Sequence, residues 1–500
     1  MNVLFITADQ WRGDCLSALG HPCVRTPNLD RLGEQGVTFT AHYCQASPCG
    51  PSRASLHTGL YMMNHRSVNN GTPLDRRHVN WAQLLRGAGW DPVLFGYSDT
   101  SADPRDYPPD HVALKTYEGI LPGLRSLAHV NLGDARAWAE FLAGHGYPIP
   151  SPPEQLYRSK STGVEWEDGG AAPLPLAIRA EHHDTHFVTD RAIAFIRETT
   201  HKPWCVHLSL LRPHPPWLAP APYNAMYSPD TLPGYVRAET AAAEAATHPW
   251  LAAALATPAL RAPTRAGVLA RLQASYYGLM TEVDDNLGRL FGALRDAGQW
   301  DDTLVIFTSD HGEQMGDHHL LGKSGYFDEA FHVPLIIRDP HATRRHGSRV
   351  TRFTEHVDLM PTLLNRLSLE MLAHCDGRSL QPFLESTVEP AGWRDAAYWE
   401  YDFRDAPADS AFARFKLPLD ACSLSVIRDN AFKYVHFAGL PPLLFDLTRD
   451  PAQLDNRAID ADYTATALEY SQRLLSLRMR NADRSMTHLY LGRDGVRRRV

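Results

Sequence analysis

Short runs of apolar residues alternate with helical periodicities along the first three quarters of the chain. The first run, Val3 to Ile6, has the continuous apolar pattern of a strand that is buried on both faces. Similar runs lie at 92–95, 205–208, 303–307 and 333–337, and helical patterns occur at 26–36, 81–88, 187–197 and 267–297. This alternation predicts an α/β fold with a large, mostly parallel sheet between layers of helices.

The pattern changes after about residue 375. Strand-like stretches at 397–401, 423–427, 433–437 and 443–447 follow one another without intervening helices, and a helical pattern closes the region at 463–480. These features predict a small antiparallel sheet. We therefore expect an α/β catalytic domain at 1–374 and a C-terminal domain at 375–500, which contains this sheet, a helix and the tail.

Two stretches interrupt the alternation of strands and helices. Residues 101–180 are rich in Pro, Gly and Asp, and residues 218–265 are rich in Pro and Ala, with one short helix expected in the second stretch. We interpret both as surface excursions that shape the rim of an active site.

Composition and charge narrow the functional classes. The chain of 500 residues is 44% hydrophobic and 21% charged, which is enough apolar material for a large core. Its net charge of −8 argues against nucleic-acid binding, which needs a clustered basic surface. No apolar stretch approaches the roughly 20 residues of a membrane span, and no signal peptide is readable at the start. With seven irregularly spaced cysteines, these features predict a cytoplasmic protein with reduced thiols and no membrane contact.

Polar residues with metal-binding chemistry follow two of the predicted strands. Asp9 and Gln10 come directly after the first strand, and Asp310 and His311 follow the strand at 303–307. Ligands of parallel sheets bind beyond the carboxyl ends of the strands, so these residues are candidate ligands of a divalent metal ion. The alternative is that Asp9 and Asp310 are only helix N-caps.

Cys49 begins the run Cys-Gly-Pro-Ser-Arg, and Thr58-Gly59 follows after four more residues. A cysteine in such a run is by itself more often a small buried apolar residue. The spacing, however, resembles the sulfatase signature at every fixed position. The resemblance implies an alkaline phosphatase-like fold in which Cys49 is oxidised to 3-oxoalanine (formylglycine) by a formylglycine-generating enzyme. The hydrated aldehyde would supply a geminal diol as the nucleophile.

Other motifs are most similar to the phosphonate monoester hydrolases and their arylsulfatase relatives. They are Met63-Asn64-His65-Arg66, Gly322-Lys323 and the run from Glu400 to Asp405. Gln10 and His311 stand where most sulfatases have Asp and Asn, which favours an ion like Mn²⁺ over Ca²⁺ and leaves both possible. The Gly-Lys-Trp-His run of many sulfatases is absent at 96–100.

The resemblance also implies roles for individual residues. Asp9, Gln10, Cys49, Asp310 and His311 would hold one divalent metal ion. Arg53 would hold the diol, while Lys323 and His214 would bind the ester oxygens and protonate the leaving group. Asn70, Tyr97 and either Asp99 or Thr100 would line the substrate pocket. Two simpler interpretations remain, in which His214 is a packed loop histidine and Asn70 is a turn residue.

Two ester classes fit these residues. We expect a hydrolase of small-molecule sulfate monoesters, of arylsulfatase type, because the full signature is present and Asp99 departs from the phosphonate branch. The alternative is a phosphonate monoester hydrolase or phosphodiesterase that uses the same nucleophile. A remote third hypothesis is a non-catalytic, anion-binding homologue with an unmodified Cys49. The resemblance further implies a homodimer or homotetramer.

Overall fold

The computed structural model describes residues 1–157, 176–199, 203–405 and 410–498. Its first nine strands are β1 (Asn2–Ala8), β2 (Val37–Phe39), β3 (His42–Tyr43), β4 (Ala46–Ser47), β5 (Pro92–Gly96), β6 (Arg125–His129), β7 (Cys205–Leu210), β8 (Thr303–Thr308) and β9 (Leu335–Arg338). The later strands are β10 (Ser348–Val350), β11 (Thr354–Glu355), β12 (Ala397–Asp402), β13 (Ser423–Arg428), β14 (Phe432–Phe437), β15 (Leu443–Asp446), β16 (Leu489–Gly492) and β17 (Gly495–Arg498).

The α-helices of the described residues connect and cover these strands. They are α1 (Pro27–Glu34), α2 (Cys49–Thr58), α3 (Met62–His65), α4 (Trp81–Gly87), α5 (Arg136–Gly144), α6 (Asp184–Glu198), α7 (Ala241–Ala245), α8 (Pro249–Ala256), α9 (Val268–Asp296), α10 (Asp328–Phe331), α11 (Leu359–Arg366), α12 (Gln381–Glu385) and α13 (Thr464–Arg480). Within the described ranges, no helix combines the length and apolar character that crossing a membrane requires.

The largest sheet has eight strands in the order β10-β2-β9-β8-β1-β7-β5-β6. In the order β8-β1-β7-β5-β6 each strand is parallel to the next, whereas β9 is antiparallel to β8 and to β2. This arrangement confirms the predicted mixed sheet, which is mostly parallel. It also places the carboxyl ends of β8, β1, β7 and β5 side by side.

Both faces of this sheet are covered. Leu4 and Ile6 of β1 belong to a core with residues of α6 and α9, while Val3 and Phe5 belong to a second core with residues of α2, α4 and α11. Side chains alternate between the two faces of a strand, so a strand with a core on each face must be apolar throughout. The continuous apolar runs of the sequence reflect this double burial.

The smaller sheet contains β15, β14, β13 and β12, which pair in antiparallel fashion, as predicted. Its fifth strand, β4, comes from the N-terminal part of the chain and pairs with β12 in parallel. Ser47, two residues before Cys49, is thereby aligned with Tyr401. The C-terminal sheet thus anchors the segment that leads into α2, and the domain boundary near residue 375 stays a prediction.

The stretch at 101–180 is more ordered than the sequence suggested, as far as it is described. It contains β6 at the edge of the large sheet and the helix α5, and its residues 158–175 lie outside the described ranges. Only one residue of β6 is buried, which explains the absence of an apolar run there. The stretch at 218–265 contains two helices, α7 and α8, where one was expected.

Candidate active site

Four neighbouring strands deliver candidate residues to one edge of the large sheet. Asp9 directly follows β1, and Asp310 lies two residues beyond β8. Tyr97 directly follows β5, and His214 lies four residues beyond β7. Because these strands are parallel and adjacent, their ends converge where open α/β sheets bind ligands.

Cys49 is the first residue of α2 and is 3% exposed. Its thiol donates to Nε2 of His311 at 3.2 Å and accepts from Nζ of Lys323 at 3.1 Å. Burial raises the pKa of this thiol well above its ordinary value, and Asp9 adds to the effect while Lys323 opposes it. The unmodified side chain is therefore a protonated thiol and a poor nucleophile.

Cys49 and three other side chains form a compact set of metal-ligand donors. One donor atom from each of Asp9, Cys49, Asp310 and His311 lies within 4.8 Å of every other, and all four residues are buried. Oδ1 of Asp9 has no hydrogen-bond partner among the described residues. A buried carboxylate oxygen without a partner is costly unless a cation neutralises it. The donor set therefore fits a divalent metal ion.

His311 is prepared for metal binding by its second ring nitrogen. Burial lowers the pKa of His311 to about 4, so the imidazole is neutral. Nδ1 donates to the carbonyl oxygen of Gly312 at 3.0 Å, which leaves the lone pair on Nε2. That atom lies 3.8 Å from Oδ1 of Asp9 and 3.7 Å from Oδ2 of Asp310. This arrangement is typical of a histidine that binds a metal ion.

Gln10 is held in one orientation by two charged neighbours. Its Nε2 donates to Glu313, and its Oε1 accepts from Nζ of Lys323 at 2.9 Å. Glu313 also accepts from the backbone N–H groups of Met315 and Gly322, at 2.9 Å and 2.6 Å. The amide oxygen of Gln10 is thereby fixed on the side of Lys323 and Cys49.

Arg53, one helical turn after Cys49, braces the two aspartates. Its Nε donates to Asp310 at 2.9 Å, and one terminal nitrogen donates to Asp9 at 3.1 Å. The other terminal nitrogen donates to Oγ of Ser209 at 2.8 Å and to the carbonyl oxygen of Tyr97 at 3.4 Å. Four of the five N–H donors of the guanidinium are used in this way. The expected contact with a diol would fall to the remaining donor.

The pKa values of the two aspartates shift in opposite directions because their surroundings differ. Burial and the neighbouring carboxylate of Asp310 raise the pKa of Asp9. Burial also acts on Asp310, but His311, Arg53 and Lys323 outweigh it and lower its pKa. The hydroxyl of Tyr97 donates to Asp9, and its ring lies under the guanidinium of Arg53, 4.5 Å from the centroid. Like charges held this close favour a cation between them.

The predicted pocket residues Asn70, Asp99 and Thr100 make different contacts. Oδ1 of Asn70 accepts from the backbone N–H of Gly50 at 2.8 Å, so Asn70 holds the backbone next to Cys49. Asp99 is 5% exposed, has a positive φ of 44°, and its Oδ1 lacks a partner among the described residues. Thr100 instead donates to the carbonyl oxygen of Ser98 and lines a small separate cavity. Thr100 thus faces a different cavity, and the choice between Asp99 and Thr100 as a substrate-pocket residue stays a prediction.

His214 occupies a turn held by proline residues and by Arg212. Its Nδ1 donates to the carbonyl oxygen of Pro215 at 2.5 Å, so the lone pair is on Nε2. Burial lowers the pKa of His214 well below its ordinary value, and the charge of Lys323 adds to the effect. In the free site the imidazole is therefore neutral.

The sequence pattern did not identify three residues that organise this site. Glu313 orients Gln10, Ser209 accepts from Arg53, and Arg212 holds the turn of His214. Glu313 ends the run Ser-Asp-His-Gly-Glu, which contains two of the candidate ligands. Ser209 and Arg212 carry no comparable local signal, since their contacts arise only when separate segments meet.

Comparisons with known proteins give a consistent picture. A family model described as "Sulfatase" matches residues 1–369, and one described as "N-sulphoglucosamine sulphohydrolase, C-terminal" matches residues 316–480. The chain is 43% identical to the "Multifunctional alkaline phosphatase superfamily protein PehA" of Trinickia caryophylli, over 99% of this chain and 98% of that protein.

An arylsulfatase of Clostridium perfringens is 25% identical over 95% of this chain and 93% of its own length. Among solved structures, the phosphonate monoester hydrolase of Agrobacterium radiobacter superposes with a TM-score of 0.93. It shares 46% sequence identity, and the match covers 100% of this chain and 99% of that one.

Proposed function

Since the chain belongs to the sulfatase family of the alkaline phosphatase superfamily, we propose that it hydrolyses monoanionic esters with a metal ion and a formylglycine at position 49. The observation that carries the proposal is the buried donor set around Cys49, with Lys323 in contact with the same sulfur atom. The other candidate metal ligands, the N-terminus of α2 and Lys323 all lie beside the sulfur atom of Cys49.

Two groups would complete the site. A divalent cation held by Asp9, Gln10, Asp310 and His311, together with residue 49, supplies Lewis acidity and charge neutralisation. Formylglycine, once hydrated, supplies one hydroxyl as the nucleophile and a second that allows product to be expelled by cleavage of a C–O bond. An imidazole among the donors favours Mn²⁺ over Ca²⁺.

The protein's own side chains would bind and protonate the ester. Lys323 places its ammonium group beside the nucleophile, where it neutralises the non-bridging oxygens of the substrate. His214 would give a proton from Nε2 to the leaving oxygen. This role requires His214 to be protonated when the ester is bound. The negative charge of the ester would raise the pKa of His214, against the burial and the charge of Lys323 that keep the imidazole neutral in the free site.

The motif and the relatives support different classes of ester. The sequence favoured sulfate monoesters because of the complete signature and Asp99. The relatives at 43% and 46% identity, however, are named a multifunctional superfamily protein and a phosphonate monoester hydrolase, whereas the arylsulfatase is 25% identical. We therefore propose phosphonate monoesters and phosphodiesters as preferred substrates, and aryl sulfates as a second class accepted at the same site.

Two measurements on one preparation test the proposal. Mass spectrometry of the peptide around Cys49 is expected to show replacement of the thiol by an aldehyde. Values of kcat/KM for a phenylphosphonate ester and an aryl sulfate are expected to show turnover of both and preference for the phosphonate. Full turnover by a Cys49→Ala variant would exclude the covalent mechanism, and absence of any turnover by aldehyde-bearing protein would favour a binding function.

The remaining expectations about the cell are part of the same proposal. Conversion of Cys49 requires a formylglycine-generating enzyme as a transient partner. We also propose a reducing, cytoplasmic location, with which the free cysteines of the described residues are consistent, and a homodimeric or homotetrameric state. Co-expression with and without the maturation enzyme, followed by mass spectrometry, tests the first point directly.

A further inference from the structure

Arg212 lies under the turn that presents His214. Its side chain is 2% exposed, and one terminal nitrogen donates to the carbonyl oxygens of His214 and Pro216, at 2.9 Å and 3.0 Å. The two carbonyl groups belong to residues on either side of Pro215, whose own carbonyl accepts from the imidazole of His214. The guanidinium therefore fixes the peptide backbone from which the imidazole ring projects.

Asp184 holds Arg212 in this position. Its carboxylate lies 3.0 Å from a terminal nitrogen of Arg212, and its side chain is also 2% exposed. The backbone N–H of Thr185 donates to the same carboxylate at 2.7 Å. Burial alone would raise the pKa of Asp184, but Arg212 and His183 outweigh it and the pKa is lowered. Asp184 is therefore ionised, and the pair is a buried ion pair between α6 and the turn after β7.

The pair is part of a longer buried chain of polar groups. His183 lies 3.3 Å from Asp184, and its Nδ1 lies 2.6 Å from Glu282 in the middle of α9. The turn with His214 is thereby connected to the two helices that cover one face of the large sheet. Such a chain costs desolvation energy, and buried ion pairs add little to stability over apolar packing. Its role here is to hold the turn that carries His214 in one position.

We propose that Arg212, held by Asp184, is a positioning residue that aims Nε2 of His214 at the leaving oxygen of the ester. The proposal rests on the proposed function, since it requires His214 to be the proton donor. In the step concerned, a hydroxyl oxygen of residue 49 would form a bond to sulfur or phosphorus while the bond between that atom and the ester oxygen breaks. Its electron pair goes to that oxygen, which takes the proton from Nε2, and the imidazolium becomes a neutral imidazole.

The inference predicts a specific dependence on the leaving group. Nitrophenolate departs without much help, whereas an alkoxide needs a proton, so misplacing the imidazole affects only the second kind of ester. For Asp184→Asn we expect kcat/KM to fall by about 10- to 100-fold with an alkyl or unsubstituted phenyl ester, because small misplacements are costly. With a nitrophenyl ester of the same acid we expect a change of less than about threefold.

A conservative variant and a matched control separate positioning from folding. Arg212→Lys keeps the positive charge but not the planar donor geometry, and it is expected to show the same selective loss. Asp339→Asn removes the carboxylate of another buried ion pair, 2.6 Å from Arg366 and away from the candidate site residues. Asp339→Asn is expected to lower the unfolding temperature without changing the ratio between the two esters.

A double-mutant cycle then identifies the residue through which Asp184 acts. In a His214→Ala background, Asp184→Asn should have no further effect on the ratio between the esters. Equal losses with both esters, or a selective loss that persists without His214, would overturn the inference. If wild-type protein with the aldehyde turns over no ester, the proposed function fails instead. If His214→Ala itself leaves the ratio unchanged, His214 is not the proton donor and the inference is excluded.

Discussion

The side-chain amide of Gln10 has two possible orientations, and its two charged neighbours select one. Lys323 can only donate and therefore requires the amide oxygen, while Glu313 accepts from the amide nitrogen. The oxygen thus faces the metal-ligand donors, where it can bind a cation. Glu313 is not itself a candidate metal ligand. By accepting from Nε2 of Gln10, however, it leaves Oε1 as the atom of Gln10 that can bind a metal ion.

Replacing Glu313 by Gln is expected to weaken metal binding. The new amide can offer Gln10 a donor as readily as an acceptor, so only Lys323 still favours the present orientation of Gln10. Loss of such a supporting contact typically lowers metal affinity by about 10- to 100-fold. Titration of metal-free protein with Mn²⁺, followed by calorimetry, measures the change. Glu140→Gln, an exposed position on α5, is the control, and an affinity equal to that of the wild type would contradict the prediction.

Asp99 would bring an ionisable group to the proposed pocket for an anionic ester. Burial raises the pKa of Asp99 to about 8, Asp9 and Glu118 add to the rise, and Arg53 opposes it. Below that pH the protonated carboxyl can donate a hydrogen bond as a hydroxyl would. Above it the carboxylate repels an anionic ester. A cation beside Asp9 would move this transition to lower pH.

The Asp99→Asn variant is therefore expected to lose part of the pH dependence of KM. In the wild type KM should rise by up to about tenfold per pH unit above the pKa of Asp99. The Asn variant keeps a neutral donor and should show a flatter profile between about pH 5 and about pH 9. Asp103→Asn serves as the control, since that buried carboxylate is held by Arg105. Superimposable profiles of the wild type and Asp99→Asn would show that Asp99 does not meet the substrate.

At the scale of elements, the short helix α10 connects the C-terminal sheet to the site. Asp328 lies 2.9 Å from Nζ of Lys433 on β14 and 3.1 Å from Arg428 on β13. The carbonyl oxygens of Glu329 and Ala330 accept from the backbone N–H groups of the residues after His311. The ion pairs between α10 and the sheet therefore support the backbone that carries the metal ligands.

Removal of this carboxylate tests how much the connection contributes. Asp328→Asn leaves the ammonium of Lys433, which is 0% exposed, without its ionic partner. We expect a loss of about 3 kcal/mol in the free energy of unfolding, as is usual when one partner of a buried pair is removed. Glu389→Gln, in an exposed pair with Arg352, is expected to cost at most about 1 kcal/mol. Denaturant titrations of both variants distinguish these outcomes, and equal losses would contradict the difference argued from burial.

The elements that the sequence predicted are those whose own residues carry the signal. The strands β1, β5, β7 and β8 are buried on both faces and are therefore apolar throughout. The edge strand β6 was missed because four of its five residues are exposed or half-buried. The two-residue strand β4 was missed for another reason, since it exists only through its pairing with β12. Local patterns report burial on both faces but not pairing between distant segments.

In the candidate site, too, some residues carry a local sequence signal and others depend on contacts between distant segments. Asp9, Cys49 and Asp310 stand at strand ends or in a signature, and the structure brings their donor atoms together. The supporting contacts of Ser209 and Arg212 depend on how β7 lies beside β1 and α6, which no local pattern encodes. The candidate reactive groups could be predicted from the sequence, whereas the residues that position them could be identified only from the fold.

At the scale of the whole molecule, the metal-ligand donors join segments that are far apart in the sequence. Asp9 follows β1, Cys49 begins α2, and Asp310 and His311 follow β8. Without a cation, two carboxylates face each other in a buried space, and Arg53, Lys323 and His311 offset their charge. A bound cation would therefore link the large sheet to α2 and relieve the repulsion between the aspartates.

Metal binding is expected to raise the unfolding temperature of the entire chain. An ion present at about 100 times its Kd stabilises the folded state by about 2.7 kcal/mol, because it binds only that state. For a large protein this corresponds to a rise on the order of a few degrees. Thermal melts of EDTA-treated protein with and without added ion measure the shift, and Mn²⁺ should give a larger shift than Ca²⁺ because His311 offers an imidazole.

The variant Asp310→Asn decides whether the shift comes from this site. It removes a charged donor and leaves the surface unchanged, since Asp310 is 0% exposed. The shift with Mn²⁺ should become much smaller, while the metal-free variant should melt below the metal-free wild type, because Arg53 loses its buried ion pair with Asp310 and this loss outweighs the relief of repulsion with Asp9. An undiminished shift in Asp310→Asn would mean that the ion stabilises the protein from somewhere else, and the proposed metal site would then be wrong.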